Sequence, residues 1–200
     1  NIPRRSSKPR KVGLTLTRDQ GFSAGQVDDL MATFGQFIDY AKIKQFELFY
    51  QPTELTRNKV ANYRKHAVMT FCGGTVVEAA IIRGQVDKTL RTLKGIGLEA
   101  IELSDNIVEL NLNEKTELIK KAVDAGFEVL FEYGKKYDHD PIDVDRATKE
   151  IETLRKAGAN RIILERSQLD ATLGASGELP TAERLQELVD RIGMSSLIFE

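Results

Sequence analysis

The stretch AIELSDNIVELNLNEKTELIKKAVDAGFEVLFE, residues 100–132, holds one complete structural unit. Ala100 to Leu103 is a short apolar run. Glu114 to Ala125 then carries Leu118, Ile119, Ala122 and Val123 on one helical face, Gly126 can take the left-handed conformation that stops a helix, and Glu128 to Glu132 is a second apolar run. Strands that are apolar along their whole length, with an amphipathic helix between them, belong to a parallel sheet buried on both faces. The unit reads as strand, helix, strand.

The same unit recurs in both directions. Further strands are expected at Val12 to Leu16, Phe37 to Ile43, Val68 to Cys72, Arg161 to Leu164 and Leu197 to Phe199, a spacing of roughly thirty residues, or one βα unit each. Helices are expected over Ser23 to Gly35, with Val27, Leu30, Met31 and Phe34 on one face, and over Thr181 to Ile192, with Leu185, Leu188, Val189 and Ile192. Gly97, Gly158 and Gly193 repeat the stop seen at Gly126, while Asp138 to Asp143 and Leu173 to Pro180 read as surface loops. A single strand and a single helix per repeat, with no Gly-rich dinucleotide fingerprint after the first strand, favour an α/β (β/α)8 TIM-type barrel over a doubly wound sheet. Seven βα-type strands are visible. An eight-fold barrel needs one more unit, so either the sheet is open or an eighth unit is missing from this sequence. Residues 1–11 are expected to be a flexible N-terminal segment, and residues 12–200 one barrel domain.

Composition narrows the function. The 200 residues carry 29 Lys and Arg against 30 Asp and Glu, a formal charge of -1, so no global basic field recruits nucleic acid or an anionic membrane. An anion must be held locally. One cysteine cannot make an internal disulfide and fits a reducing, cytoplasmic setting. No run approaches the eighteen or so apolar residues of a membrane span.

In a barrel the chemistry gathers where the strands end. Those ends are ionic here: Thr15, Thr17 and Asp19; Lys42 and Lys44; Gly73-Gly74-Thr75; Glu102, Ser104 and Asp105; Glu132, Gly134, Lys135 and Lys136; Glu165 and Arg166; Glu200. Glu102, Glu132 and Glu165 at matching strand ends suit a hard divalent cation such as Mg²⁺, with lysines left to bind an anionic substrate or to move a proton. Solvated loop charges are the competing reading for each residue singly. Gly73-Gly74-Thr75 lies between a strand and a helix, where backbone N–H groups and a hydroxyl can hold an oxyanion, although a tight turn alone uses the same residues. Cys72 reads as a small core residue, and His66 and His139 as solvated positions.

Taken in order, Lys8-Pro9-Arg10, Gly13-Leu14-Thr15, Asp19-Gln20-Gly21, Ile38-Asp39-Tyr40-Ala41-Lys42, Gly73-Gly74-Thr75-Val76-Val77-Glu78, Ile101-Glu102-Leu103-Ser104-Asp105, Glu132-Tyr133-Gly134-Lys135-Lys136, Ala157-Gly158-Ala159, Glu165 and Ile198-Phe199-Glu200 resemble the phosphosulfolactate synthase family. The chain looks like a divergent member. The resemblance implies a (β/α)8 barrel that adds sulfite to phosphoenolpyruvate, a Mg²⁺-dependent lyase-type step giving (2R)-phospho-3-sulfolactate on the way to coenzyme M or sulfolactate. It implies Lys136 as general acid, with Lys42 beside it among the catalytic groups. Glu102, Glu132 and Glu165 are the implied metal ligands, and Gly73, Gly74, Thr75, Ser104 and Arg166 the substrate contacts. Two loops depart from the pattern. After Lys42 the chain runs Ile43-Lys44-Gln45-Phe46-Glu47 where the family runs Lys-Phe-Gly-Trp-Gly-Thr-Ser, and after Glu165 it runs Arg166-Ser167-Gln168 where the family has Glu-x-Arg-Glu-Ser-Gly. A related barrel enzyme acting on another small phosphorylated acid, or a non-enzymatic branch resembling plant heat-stress-associated proteins, are the alternatives. Barrels of this class commonly self-associate, so a homo-oligomer is expected.

Overall fold

A computed structural model of the protein describes residues 5–136, 140–173 and 179–200. Its elements, in chain order, are β1 (Leu16–Arg18), α1 (Ala24–Phe34), β2 (Tyr40–Ile43), α2 (Gln45–Tyr50), α3 (Thr53–Lys65), β3 (Met69–Cys72), α4 (Gly74–Ile82), α5 (Val86–Ile96), β4 (Ala100–Leu103), α6 (Leu112–Asp124), β5 (Glu128–Tyr133), α7 (Val144–Ala157), β6 (Arg161–Leu164), α8 (Arg166–Leu173), α9 (Leu179–Ile192) and β7 (Leu197–Phe199). Short 3₁₀ turns at Gly35–Phe37 and Met194–Ser196 lead into β2 and β7.

The seven strands pair in sequential order, each parallel to the next. This is the α/β TIM-type sheet expected from the repeat, with helices between the strands and, among the described residues, no ladder joining β1 to β7. A cleft of about 450 Å³ separates those two edges, lined by Leu14, Leu16, Met194, Leu197 and Phe199 among others. The main core lies between the outer face of the sheet and the helices: Ile43, Cys72, Ile101, Phe131 and Leu164 from the strands meet Val27, Val60, Val77, Leu93, Ile119 and Ile151 from the helices. Among the described residues no helix is long and apolar enough to cross a membrane.

Where the structure departs from the sequence reading, a local cause is visible. The first strand begins at Leu16 rather than Val12, because its partner ladder begins only at Tyr40; Thr15 instead takes the Asp39 and Tyr40 amides on its carbonyl and gives its own amide to the Asp39 carboxylate. Phe37 belongs to a 3₁₀ turn, which shortens the second strand to Tyr40–Ile43. The single helix per repeat fails at three connections, where β2–β3, β3–β4 and β6–β7 each hold two helices. Pro52, which has no amide to donate, divides α2 from α3, and Gly84 at φ +60° divides α4 from α5. The loop expected over Leu173 to Pro180 is entered by helix at both ends, since α8 runs to Leu173 and α9 starts at Leu179. Its middle, residues 174–178, and residues 138–139 of the expected Asp138–Asp143 loop, His139 among them, lie outside the described residues, while 140–142 carry no helix or strand, as expected, and Asp143 caps α7. The four glycine stops all take positive φ, as their positions after helices require.

The described part of the N-terminal segment contacts the foot of the barrel. Arg5 and Arg10 both pair with Asp39, and Lys8 donates to the carbonyls of Gly35 and His66 at 2.9 Å each.

Candidate active site

Alternate side chains of a strand face the same side of the sheet. Tyr40, Phe71, Ala100, Leu130, Ile163 and Ile198 pack together inside the barrel, with Leu16 against them. Two residues further along each strand direction stand Arg18, Lys42, Gly73, Glu102, Glu132, Glu165 and Glu200. An apolar ring is therefore overlaid, at the C-terminal mouth, by a ring of charged side chains broken by one glycine.

Lys42 and Glu102 form the centre of this ring. Lys42 Nζ lies 2.7 Å from Glu102 Oε2, and Glu102 Oε1 accepts the Gly74 amide at 2.8 Å. Burial alone would lower the Lys42 pKa, but the Glu102 carboxylate, helped by Glu132 and Glu200, outweighs it and raises the pKa above its ordinary value. Lys42 is thus a fixed cation.

The glycine pair has a steric task as well. A Cβ on Gly74 would lie 2.0 Å from Ser104 Oγ and 3.0 Å from the Ser104 amide nitrogen, and one on Gly73 would lie 3.0 Å from Lys42 Cε. Only glycine lets α4 begin this close to β4. The Gly74 N–H is already committed to Glu102, so Thr75, on the cavity wall, remains to face an anion. Gly74→Ala is expected to destabilise the fold by about 1–3 kcal/mol through overpacking, read as a lowered melting temperature; a variant melting with the wild type would refute the close approach.

Ser104 donates its hydroxyl to Glu78 Oε1 at 2.5 Å. Glu78, fully buried on α4, also takes the amides of Ile107 and Val108, the latter at 2.9 Å. The loop after β4 is thereby fixed at both ends.

Glu132 is buried, with Oε1 accepting from Asn106 Nδ2 at 2.5 Å and Oε2 without a hydrogen-bond partner. Desolvation first, then the nearby Glu102 charge, pushes its pKa up to about 7, against the pull of the Asn106 hydrogen bond and of Lys136 and Lys42. The folded chain therefore holds a proton here that the unfolded chain has released, and stability falls as pH rises from about 4.5 to about 7. Glu132→Gln removes that slope. It is expected to be more stable than the wild type above pH 7, by on the order of 3 kcal/mol at most, with the advantage gone near pH 4.5. Thermal melts across that range check this, and equal slopes for the two proteins would refute it.

Glu165 caps α8, accepting the Ser167 amide, and Arg166 on the rim pairs with Asp170 at 3.3 Å. Lys42, Gly73, Gly74, Thr75, Glu102, Ser104, Lys136, Glu165 and Arg166 all line one cavity of about 440 Å³. Glu132 stands just beside it, on the wall of a neighbouring cavity of about 290 Å³. Sequence reasoning gave no role to Arg18, which lines the same cavity, because the first strand was expected to end at Leu16. The divergent loop after β2 contributes Lys44 and Gln45 to the wall. Cys72 is fully buried and burial lifts its thiol pKa to about 12, so it is a core residue. His66 caps the end of α3, away from the cavity.

Among the described residues no three Asp, Glu, His or Cys side chains gather closely enough to hold a metal ion by themselves. Glu102 spends both oxygens on Lys42 and Gly74. Glu132 Oε2 has no hydrogen-bond partner, and an unpartnered carboxylate oxygen suits Mg²⁺, which is commonly held by one or two carboxylates with substrate and water oxygens completing its shell.

Over residues 3–200 the sequence matches the family described as (2R)-phospho-3-sulfolactate synthase (ComA). The chain belongs to the phosphosulfolactate synthase family. It is 31% identical over 205 residues to the phosphosulfolactate synthase of Methanothermobacter thermautotrophicus, spanning 99% of this chain and 78% of that protein. The Methanocaldococcus jannaschii phosphosulfolactate synthase is 31% identical over 193 residues, 94% of this chain and 76% of its own length. Both relatives are named as enzymes of this lyase-type family, and this member is read as an enzyme accordingly. Two solved structures share the fold alone. The CutC protein of Streptococcus agalactiae matches with a TM-score of 0.61 at 14% identity, over 93% of this chain and 86% of that one. A phosphonopyruvate hydrolase in complex with oxalate and Mg²⁺ matches with a TM-score of 0.52 at 16% identity, over 93% and 74%.

Proposed function

We propose that this member of the phosphosulfolactate synthase family adds sulfite to phosphoenolpyruvate. The observation that carries the reading is the one mouth cavity whose wall holds Arg18, Lys42, Lys44, Lys136 and Arg166, a cationic set sized for two small anions in a chain with no net positive charge. Sulfite is itself a nucleophile. Its sulfur lone pair forms the carbon–sulfur bond at carbon three, the double-bond electrons move to carbon two and onto the substrate carboxylate, and a proton delivered to carbon two completes (2R)-phospho-3-sulfolactate. The protein must hold two anions together and stabilise the charge that develops.

Lys42, its ammonium fixed by Glu102, stabilises the substrate carboxylate as that charge grows. Thr75, at the start of α4, and Arg166 hold the phosphate. Lys136 delivers the proton to carbon two and recovers it from water at the open mouth. A bound Mg²⁺ would supply Lewis-acid stabilisation of the same carboxylate, with Glu132 and Glu165 as the side chains that hold it.

Phosphorus NMR of the protein with phosphoenolpyruvate, sulfite and Mg²⁺ tests the reading. A new phosphosulfolactate resonance that depends on sulfite is expected, and a folded protein that leaves phosphoenolpyruvate unchanged would overturn it. Lys44 and Gln45, standing in the wall where the family loop carries glycines and hydroxyls, favour as second reading a different small phosphorylated acid. Turnover of such an acid without sulfite would select it.

A further inference from the structure

Asn106 carries no charge and lies outside the ring of strand-end residues, yet it joins the two groups on which the proposed chemistry depends. Its Nδ2 donates to Glu132 Oε1 at 2.5 Å, and its Oδ1 accepts the backbone N–H of Lys136 at 2.9 Å. These partners admit only one orientation of the amide, since the reverse would set an oxygen against a carboxylate and an NH₂ against an N–H. An ionised carboxylate of this length can only accept and an apolar side chain can do neither, whereas the asparagine amide donates to Glu132 and accepts from Lys136 together.

The residue is also held rigidly. Glu78 grips Ser104 on one side of it and the Ile107 and Val108 amides on the other. The order built into α4 is thus passed through the loop after β4 to the loop after β5. There it meets Lys136, whose own side chain is exposed on the rim and lines the mouth cavity.

We propose that Asn106 is a positioning residue that ties the Lys136 loop to the Glu132 carboxylate and so fixes where the Lys136 ammonium can reach. The inference rests on the proposed role of Lys136 as proton donor for its kinetic part, and on geometry alone for its structural part. The two parts are tested separately.

In protein labelled with ¹⁵N-lysine, hydrogen exchange at the Lys136 amide reads the tether without any turnover. Asn106→Ala is expected to speed that exchange by roughly tenfold or more, as a lost hydrogen bond in a surface loop does. Asn106→Asp, which keeps an accepting oxygen, should preserve the protection while losing the donor to Glu132. Unchanged exchange in Asn106→Ala would overturn the tether.

Steady-state kinetics then read the consequence. Asn106→Ala should lower kcat by about 10–100-fold with KM little changed, the size of effect that a displacement of about 1 Å produces. In a Lys136→Ala background the same change should cost almost nothing more, because the group it positions is gone. An equal loss in both backgrounds, or kcat within twofold of the wild type, would overturn the positioning of Lys136. If the wild type itself fails to turn over sulfite and phosphoenolpyruvate, the reaction is wrong, and the exchange result still decides whether Asn106 sets the loop.

Discussion

Replacing Lys136 with alanine is expected to reduce kcat for sulfite addition by about 10²–10⁴-fold, the usual contribution of a positioned general acid, while KM for phosphoenolpyruvate changes by only a few fold. The asymmetry follows from the site. Lys136 is one of five cations on the cavity wall, and Arg18, Lys42, Lys44 and Arg166 remain to bind the anions when it is removed. Lys136→Arg separates charge from proton transfer. Guanidinium keeps the positive charge but does not release a proton in a protein, so this variant should bind substrate normally and stay nearly as slow as alanine. Full activity in Lys136→Arg would show that the position supplies charge only, and a proton donor would have to be sought elsewhere on the rim. The assay is the phosphorus resonance of the product, followed with time at saturating sulfite.

How much of this was legible beforehand depended on which physical signal each feature leaves. Six of the seven strands are near-continuous apolar runs, and that pattern survives in one dimension because a parallel sheet buries both faces. The first strand does not share it. Leu14 and Leu16 alternate with Thr15 and Thr17, so only the ladder to Tyr40 fixes where pairing starts, and the reading stopped two residues short of Arg18. Yet the charged ring obeys one offset on six of the seven strands: Leu16 and Arg18, Tyr40 and Lys42, Ala100 and Glu102, Leu130 and Glu132, Ile163 and Glu165, Ile198 and Glu200, with Gly73 at the same offset from Phe71 on β3. Applied to β1, that rule identifies Arg18 from sequence. Asn106 offered no comparable signal, because an asparagine in a polar loop is ordinary and its meaning lies in contacts with residues 26 and 30 positions away.

The largest effect on stability should come from a lysine that touches no substrate. Lys59 on α3 is 3% exposed and pairs with two carboxylates, with Asp19 Oδ1 at 3.2 Å and with Glu47 Oε2. Asp19 is itself fully buried; it takes the Gly21 and Phe22 amides on Oδ1 at 2.7 and 3.0 Å and the Tyr63 hydroxyl on Oδ2 at 2.9 Å. Burial pushes the Glu47 pKa up, and Lys59 is the main force holding it down. Lys59→Met keeps most of the side-chain volume and leaves two buried carboxylates without their cation. Removing one partner of a buried pair costs about 3–5 kcal/mol, a large share of the roughly 5–15 kcal/mol that holds a domain together, and should lower the melting temperature by about 6–20 °C. The site feels it too, because the Asp19 amide donates to the Lys42 carbonyl at 3.0 Å and the Asp19 side chain shapes the turn that follows Arg18. A further change, Glu47→Leu, should recover part of the loss by removing one orphaned charge, since apolar replacement of a buried ion pair is often close to neutral. Calorimetry on the two variants decides the matter: a Lys59→Met protein that melts within about 2 °C of the wild type would mean that the cluster is wet, and that Lys59 does not hold the β1–α1 turn against the barrel.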